Sequence, residues 1–243
     1  MANILSEAFE TYKDNLMFVI FFSIPFVIAF LIPFFAPLPT YISSGGIFIR
    51  TSSIATNLNF VSLAVIIIAT LFSLLFISFA FVAISLIVKS KKTRSKISKR
   101  VIQDIERYVS KVFLLLIIYT FILILANVVG YYLGFMTLLT SVVGFFAFIP
   151  IFYAPSAIVV DNKKVGRAVK DSIRLIISKP LYFIMWFVLI SILITVVDGV
   201  MIAIAGNYVS MYLTLVITSL LILPYFVIFQ AEAYMKRFAL LRH

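Results

Sequence analysis

Six apolar runs divide the chain, roughly Leu16–Leu38, Phe60–Val88, Val112–Leu133, Phe135–Val160, Leu181–Ala205 and Tyr208–Ala231. Each is long enough to cross a bilayer, for which about 20 apolar residues suffice. Hydrocarbon offers the backbone no water to bond, so every N–H and C=O must be satisfied within its own segment. Runs of this length are therefore predicted to be helices. The first run contains Pro25, Pro33 and Pro37, which predicts a kinked or broken helix there. It does not read as a cleavable signal: its lead-in carries Glu7, Glu10 and Asp14, and its apolar stretch exceeds a normal signal core.

A short amphipathic stretch precedes each odd-numbered run. Apolar residues fall at Ile4, Leu5, Ala8, Phe9, Tyr12 and Leu16, then at Val101, Ile102, Ile105, Tyr108, Val109 and Val112, then at Val165, Ala168, Val169, Ile173, Ile176 and Ile177. Steps of three and four put each set on one helical face, with Glu7, Glu10, Arg107, Lys170 and Arg174 opposite. The lead-ins Phe9-x-x-Tyr12-x-x-Asn15, Ile105-x-x-Tyr108-x-x-Lys111 and Ile173-x-x-Ile176-x-x-Lys179 align with one another. The expected architecture is a single all-α integral membrane domain over 1–243. It would hold three repeats (1–88, 100–160 and 164–235) of an interfacial helix followed by a transmembrane hairpin. Identity between the copies is weak, so a second reading stays open, in which such elbow helices recur wherever loops turn back along a membrane.

Composition changes the solvent, not the pattern. Of 243 residues, 64% are hydrophobic and 12% charged, against about 45–50% and about 25% in soluble domains. A soluble globule is excluded. Cysteine is absent, which removes disulfides, thiolate metal sites and cysteine nucleophiles. The one histidine, His243, is the last residue, a poor place for a rigid ligand or base. Neither a metal nor a cofactor is expected.

The net charge of +11 matters through its location. Nine Lys/Arg lie in 89–111, six in 163–179, three after the last run and one, Lys13, before the first. The connections at Gly134 and at Gly206–Asn207 hold none, and only Arg50, in loop 39–59, lies on their side. With the N-terminus inside, 19 of the 20 basic residues are cytoplasmic, the asymmetry that orients membrane proteins. The expectation is six spans in the plasma membrane with both termini cytoplasmic. Lys89, Lys91, Lys92, Arg94, Lys96, Lys99, Arg100, Lys163, Lys164 and Arg167 would set that topology and touch anionic lipid headgroups. The run Lys89–Arg100 has no interleaved aromatic residue, so nucleic acid is not an expected partner unless it is a translocated substrate.

Few residues are candidates for chemistry. Asp198, an ionisable group inside a span, is a functional candidate by position. Asn127 shares its depth if spans three and five are equivalent, and the two are expected to hydrogen-bond as a clamp or to form a proton or cation site. Gln230 and Glu232 lie at the inner end of span six. Glu232 and Lys236, four apart, are expected to form a surface ion pair, with gating or partner docking as the functional alternative. Trp186 and the Tyr131–Tyr132 pair sit where an aromatic belt would hold them, and the 26 Phe and 12 Tyr are expected mainly as lipid-facing and interfacial filling. The sequence has no HExxH, GxSxG or P-loop and no paired Asp in adjacent spans, so it is not expected to be an enzyme.

The stretch FYAPSAIVVDNKKVGRAVKDSIRLIISKP, 152–180, resembles the signature of a membrane domain found with some glycerophosphoryl diester phosphodiesterases and in related stand-alone six-span proteins. Pro155, Ala157, Ile158, Val159, Asp161, Gly166, Ala168, Ser172 and Ile173 carry that likeness. The opening Ile4-Leu5-x-Glu7-Ala8-Phe9-x-x-Tyr12, and Pro224 with Tyr234, are similar to the family's start and final span. The resemblance implies a lipid- or envelope-related module. No catalytic phosphodiesterase domain is recognised, so the enzymatic part of the family's name is not expected to apply. The leading expectation is a non-enzymatic module that binds lipid or a membrane partner. The alternative is a transporter permease energised by a separate ATPase, or an oligomeric translocation pore, for which a homo-oligomer would supply the lining.

Overall fold

The structure, a computed structural model, describes residues 2–35, 60–93 and 99–239. Among them the regular structure is helical throughout, with no strand. The elements are α1 (Ala2–Asp14), α2 (Leu16–Phe35), α3 (Phe60–Thr93), α4 (Lys99–Tyr132), α5 (Met136–Ile151), α6 (Ala154–Asp161), α7 (Val165–Ser178), α8 (Pro180–Ile217), a π-helical turn (Thr218–Ile222) and α9 (Leu223–Ala239). Five stretches are long and apolar enough to cross a membrane: Leu63–Lys91, Ile105–Tyr132, Met136–Asp161, Pro180–Gly206 and Val209–Lys236. A sixth crossing is added if α1 and α2 are taken as one bent unit. These are the helices of a multi-pass membrane protein.

The first apolar run is one helix through Pro25 and Pro33, not the kinked or broken one expected, and the bend lies ahead of it. The chain bends by 91° between α1 and α2, at Asn15, whose side-chain amide donates to the Thr11 carbonyl at 3.0 Å. That bond satisfies a carbonyl near the end of α1. Pro25 and Pro33 both lie inside α2, and Pro37 lies outside the described residues. The elbow expected before span three, unlike α1, is not a separate helix: α4 continues from Lys99 to Tyr132. The sequence RYVSKV at 107–112 offers no Gly or Pro to stop it, and the Ser110 hydroxyl bonds back to the Glu106 carbonyl within the helix instead of capping a new one. At the third elbow, α7 does end, at Lys179 before Pro180.

Span four, in contrast, is broken. Pro150 lies inside α5 and Pro155 in the first turn of α6, and the chain makes a turn at Phe152–Tyr153 between them. Proline lacks the N–H that a continuing helix needs, and two of them five residues apart separate the halves. Pro224 receives a different accommodation: the turn ahead of it widens to π geometry, with the Leu223 N–H reaching the Thr218 carbonyl. Gly134 (φ 76°) and Gly206 (φ 70°) turn the second and third hairpins in the left-handed region, which glycine enters without a Cβ penalty. At Gly206, α8 is divided into two limbs.

Packing is uneven along the membrane normal. α3 and α4, at 34 residues each, extend about 50 Å at about 1.5 Å per residue, past a hydrocarbon core of about 30 Å. Their surplus lies at the end that carries the lysines, called here the basic end. There Ile84, Val88, Val112, Ala154, Ile158, Ala168, Ile228 and Ala231 are buried, and α1 adds Ile4 and Ala8. Toward the Gly134 and Gly206 turns, Tyr132, Leu133 and Ile204 are 82%, 61% and 74% exposed. The span Pro180–Gly206 is the least buried of the candidate crossings, and Met136–Asp161 the most. Among the described residues the fold thus has its main packed centre at the basic end, with a small second cluster of Ile190, Ile222 and Phe226.

Candidate functional site

Three polar arrangements interrupt the apolar structure. The first holds the break in span four. Ser172 of α7 accepts a hydrogen bond from the Tyr153 N–H at 2.9 Å and donates weakly to the Ile149 carbonyl at 3.4 Å. Gln230 of α9 donates through Nε2 to the Phe152 carbonyl. Two buried side chains from two other helices therefore serve a backbone that its own helix leaves unserved. Aromatic rings seal the junction: Phe152 lies 4.8 Å from Trp186 and 4.9 Å from Phe183, and Trp186 lies 5.6 Å from Phe226, centroid to centroid. Trp186 Nε1 donates to the Phe226 carbonyl at 3.2 Å. Trp186 is half-buried within this aromatic group. Phe152 and Phe226 are core and not lipid-facing filling. Tyr131 and Tyr132 are exposed, in edge-to-face contact near the far turn.

The second arrangement closes the hairpins. Asn127 donates to Thr140 at 3.2 Å, from α4 to α5. Thr214 donates to Asp198 at 3.3 Å, between the limbs of α8. The expected bond between Asp198 and Asn127 is not formed. α4 packs on α3 and α5 while α8 packs on the π-helical turn and on α7, so the partner at equal depth is found within each hairpin.

The third arrangement lies at the basic end. Lys163 bridges Asp161 at 2.7 Å and Asp171 at 2.5 Å and donates to the Tyr234 hydroxyl at 3.2 Å. That hydroxyl donates to Asp161 at 2.6 Å. Burial disfavours the Lys163 charge, but its bonds to both carboxylates and to Tyr234 outweigh that and hold its pKa above the ordinary lysine value. Lys89 donates to the Val159 carbonyl at 2.8 Å, near the end of α6, and lies 5.4 Å from the Tyr108 ring centre. Lys91 pairs with Asp14 at 2.7 Å and Lys236 with Glu7 at 2.8 Å. Lys111 donates to Asn162 Oδ1 at 3.0 Å and also approaches Tyr108, at 5.9 Å.

These contacts revise several expectations. Lys89, Lys91 and Lys163 tie helices together and are not free to serve headgroups alone. Glu232 is not half of a surface pair: it is 1% exposed and accepts from Thr11 at 3.2 Å, while Lys236 reaches Glu7. The reason is that α1 folds back along α9 and covers the face on which Glu232 lies. Gln230, at 3% exposure, lies two residues away on the other side of α9, within the same packed centre. Lys164 and Arg167 are exposed as expected, and so are Lys170 and Arg174. Arg94 and Lys96 fall outside the described residues, as do the side chains of Lys92, Lys99 and Arg100. Sequence reading missed Thr11, Thr140, Thr214 and Asp171 as partners, and no local signal marks them. The break in span four was not expected from the sequence either, although Pro150 and Pro155, five residues apart, are a local signal that could have found it. Among the described residues, no group of three His, Cys, Asp or Glu is arranged to hold a metal. Comparisons with family models, with curated proteins and with solved structures returned no match.

Proposed function

We propose that the chain is a non-enzymatic six-span module of the plasma membrane whose basic end faces the cytoplasm and binds anionic lipid headgroups. One observation carries this reading. At the basic end Asp14, Asp161, Asp171 and Glu7 are each engaged by an internal lysine. Lys164, Arg167, Lys170 and Arg174 are exposed and have no ion-pair partner among the described residues. On the same helix Ile173 is 38% and Ile177 75% exposed. A helix with cations and bare apolar groups on its outer surface suits an anionic membrane interface, where stems enter the acyl boundary and charges meet phosphates. The distribution of Lys and Arg supports the cytoplasmic placement.

The matching closures of the second and third hairpins support a repeated unit. Each has a polar residue on the first limb, a positive-φ glycine at the turn and a threonine on the returning limb. The resemblance of 152–180 to the phosphodiesterase-associated membrane domain supports a lipid-related setting. The test is to purify the protein from its native membrane in mild detergent and identify what stays bound by mass spectrometry. Anionic phospholipid in stoichiometric amount, without protein partners, is the expected result. A co-purifying ATPase would overturn this reading in favour of a permease subunit.

A further inference from the structure

Asn162 directs two successive lysines to opposite tasks. It ends α6 in the left-handed conformation, at φ 52°, and the chain reverses there. Lys163 turns in to Asp161, Asp171 and Tyr234. Lys164 stays exposed two residues beyond Asn162, and Arg107 is exposed four residues ahead of Lys111 on α4. Lys111 is itself fixed, through its bond to Asn162 Oδ1 and its approach to the Tyr108 ring. Three cations from two separate chain segments thus converge beside Asn162.

Such a grouping opposes folding when nothing neutralises it. Arg107 and Lys111 are four apart on α4, a like-charge spacing that disfavours the helix. Lys164 adds a third charge. Of the described carboxylates nearby, Asp161 and Asp171 share one cation, Lys163, and the single negative charge left over offsets only part of the three; the side chain of Asp104, three residues before Arg107, lies outside the described residues. Glu106 is exposed and adjacent to Arg107 in sequence, and neighbours one apart on a helix do not face each other. The depth is also particular. Lys111 directly precedes the apolar run that begins at Val112, and Lys164 follows shortly after the apolar run that ends at Val160. Both therefore lie at the level where hydrocarbon gives way to headgroups.

We infer that Arg107, Lys111 and Lys164 form one binding site for a phosphate group, presented at the membrane interface by a phospholipid headgroup. The guanidinium supplies a planar two-donor fork and the two ammonium groups supply rotatable donors, the combination that suits phosphate oxygens. The inference rests on the lipid-binding reading above and narrows it from a charged surface to three residues.

The experiment titrates detergent-purified full-length protein with short-chain phosphatidic acid, short-chain phosphatidylcholine and inorganic phosphate. The variants are Arg107→Gln with Lys164→Gln, and, as control, Lys13→Gln on α1. All three side chains are exposed, and melting temperatures verify folding. Phosphatidic acid should bind wild-type protein with one-to-one stoichiometry, more tightly than phosphatidylcholine. The first variant should lose about tenfold in affinity, and the control about twofold or less. Inorganic phosphate that competes at similar concentration would keep the site but reassign its occupant to soluble phosphate. Equal losses in both variants, or none in the first, would overturn the site. If wild type retains anionic lipid while the first variant binds as well as wild type, this inference alone fails. If wild type does not prefer phosphatidic acid to phosphatidylcholine, the broader lipid reading fails with it.

Discussion

The side-chain amide of Gln230 donates to the carbonyl of Phe152, across 78 residues of sequence. The acceptor lies in the turn between α5 and α6, where span four is interrupted, and the donor is buried in α9. Ser172 serves the next residue's N–H from α7. Two helices distant in sequence thus stabilise one break, and the break in turn fixes where α6 ends and where Asn162 and its flanking lysines lie.

Replacing Gln230 with Leu should leave the Phe152 carbonyl without its donor and cost about 1–3 kcal/mol. Ser172→Ala should cost roughly 1 kcal/mol. Because both serve the same turn, the double variant should lose less than the summed losses of the two single variants. Reversible unfolding in mixed detergent micelles measures all four proteins. Strict additivity would mean that the two bonds support separate structures.

The sequence made the apolar helices legible because lipid imposes one rule on every span: satisfy the backbone locally. Hairpin turns were legible at Gly134 and Gly206 for a related reason, since φ of 76° and 70° needs glycine. The breaks were harder to read. Pro25 and Pro33 sit within a helix while Pro150 and Pro155 separate two, and the difference lies in distant partners, Ser172 accepting and Gln230 donating, which no local pattern announces. Glu232 was misplaced for the same kind of reason. Its spacing from Lys236 describes one helix correctly, but α1 packs across that helix and buries the carboxylate. Lys163 and Lys164 are neighbours of one type in sequence, and only the left-handed Asn162 separates their roles.

The Lys163 cluster should be insensitive to pH through the neutral range. Lys163→Met removes the cation between Asp161 and Asp171 and should destabilise by about 1–3 kcal/mol. The folded pKa of Lys163 is raised, so its contribution is fully present below the ordinary lysine value of about 10.4. It is lost only as pH rises through the higher folded value. The melting difference between wild type and variant should therefore stay constant from about pH 7 to about pH 9. A gap that closes within that interval would show that Lys163 is not held charged by its carboxylates.

Two glycines should respond oppositely to alanine. A Cβ on Gly130 would meet the Met136 Cα at 2.8 Å, backbone that cannot swing away, where α4 and α5 approach each other. Gly130→Ala should cost about 1–3 kcal/mol. Gly199, in the first limb of α8, has nothing within 4 Å of the same position. Gly199→Ala should be neutral or stabilise by about 0.5–1 kcal/mol, through helix propensity alone. Thermal denaturation of both variants decides this, and a loss at Gly199 equal to that at Gly130 would contradict the packing described for the second hairpin.

Asp198 distinguishes a hairpin clasp from an ion site. Its Oδ1 accepts from Thr214 at 3.3 Å, and asparagine keeps an oxygen at that position. Asp198→Asn should therefore leave stability within about 0.5 kcal/mol. Asp198→Leu should lose roughly 0.6 kcal/mol and no more than about 1.7, the range of interhelical polar contacts in membranes. Proton and cation uptake into reconstituted vesicles is the second readout. A clasp gives the same background uptake for wild type and both variants. An uptake by wild type that Asp198→Asn abolishes, with stability unchanged, would assign the carboxylate to transport, because only the ionisable group has been removed while the bond to Thr214 persists.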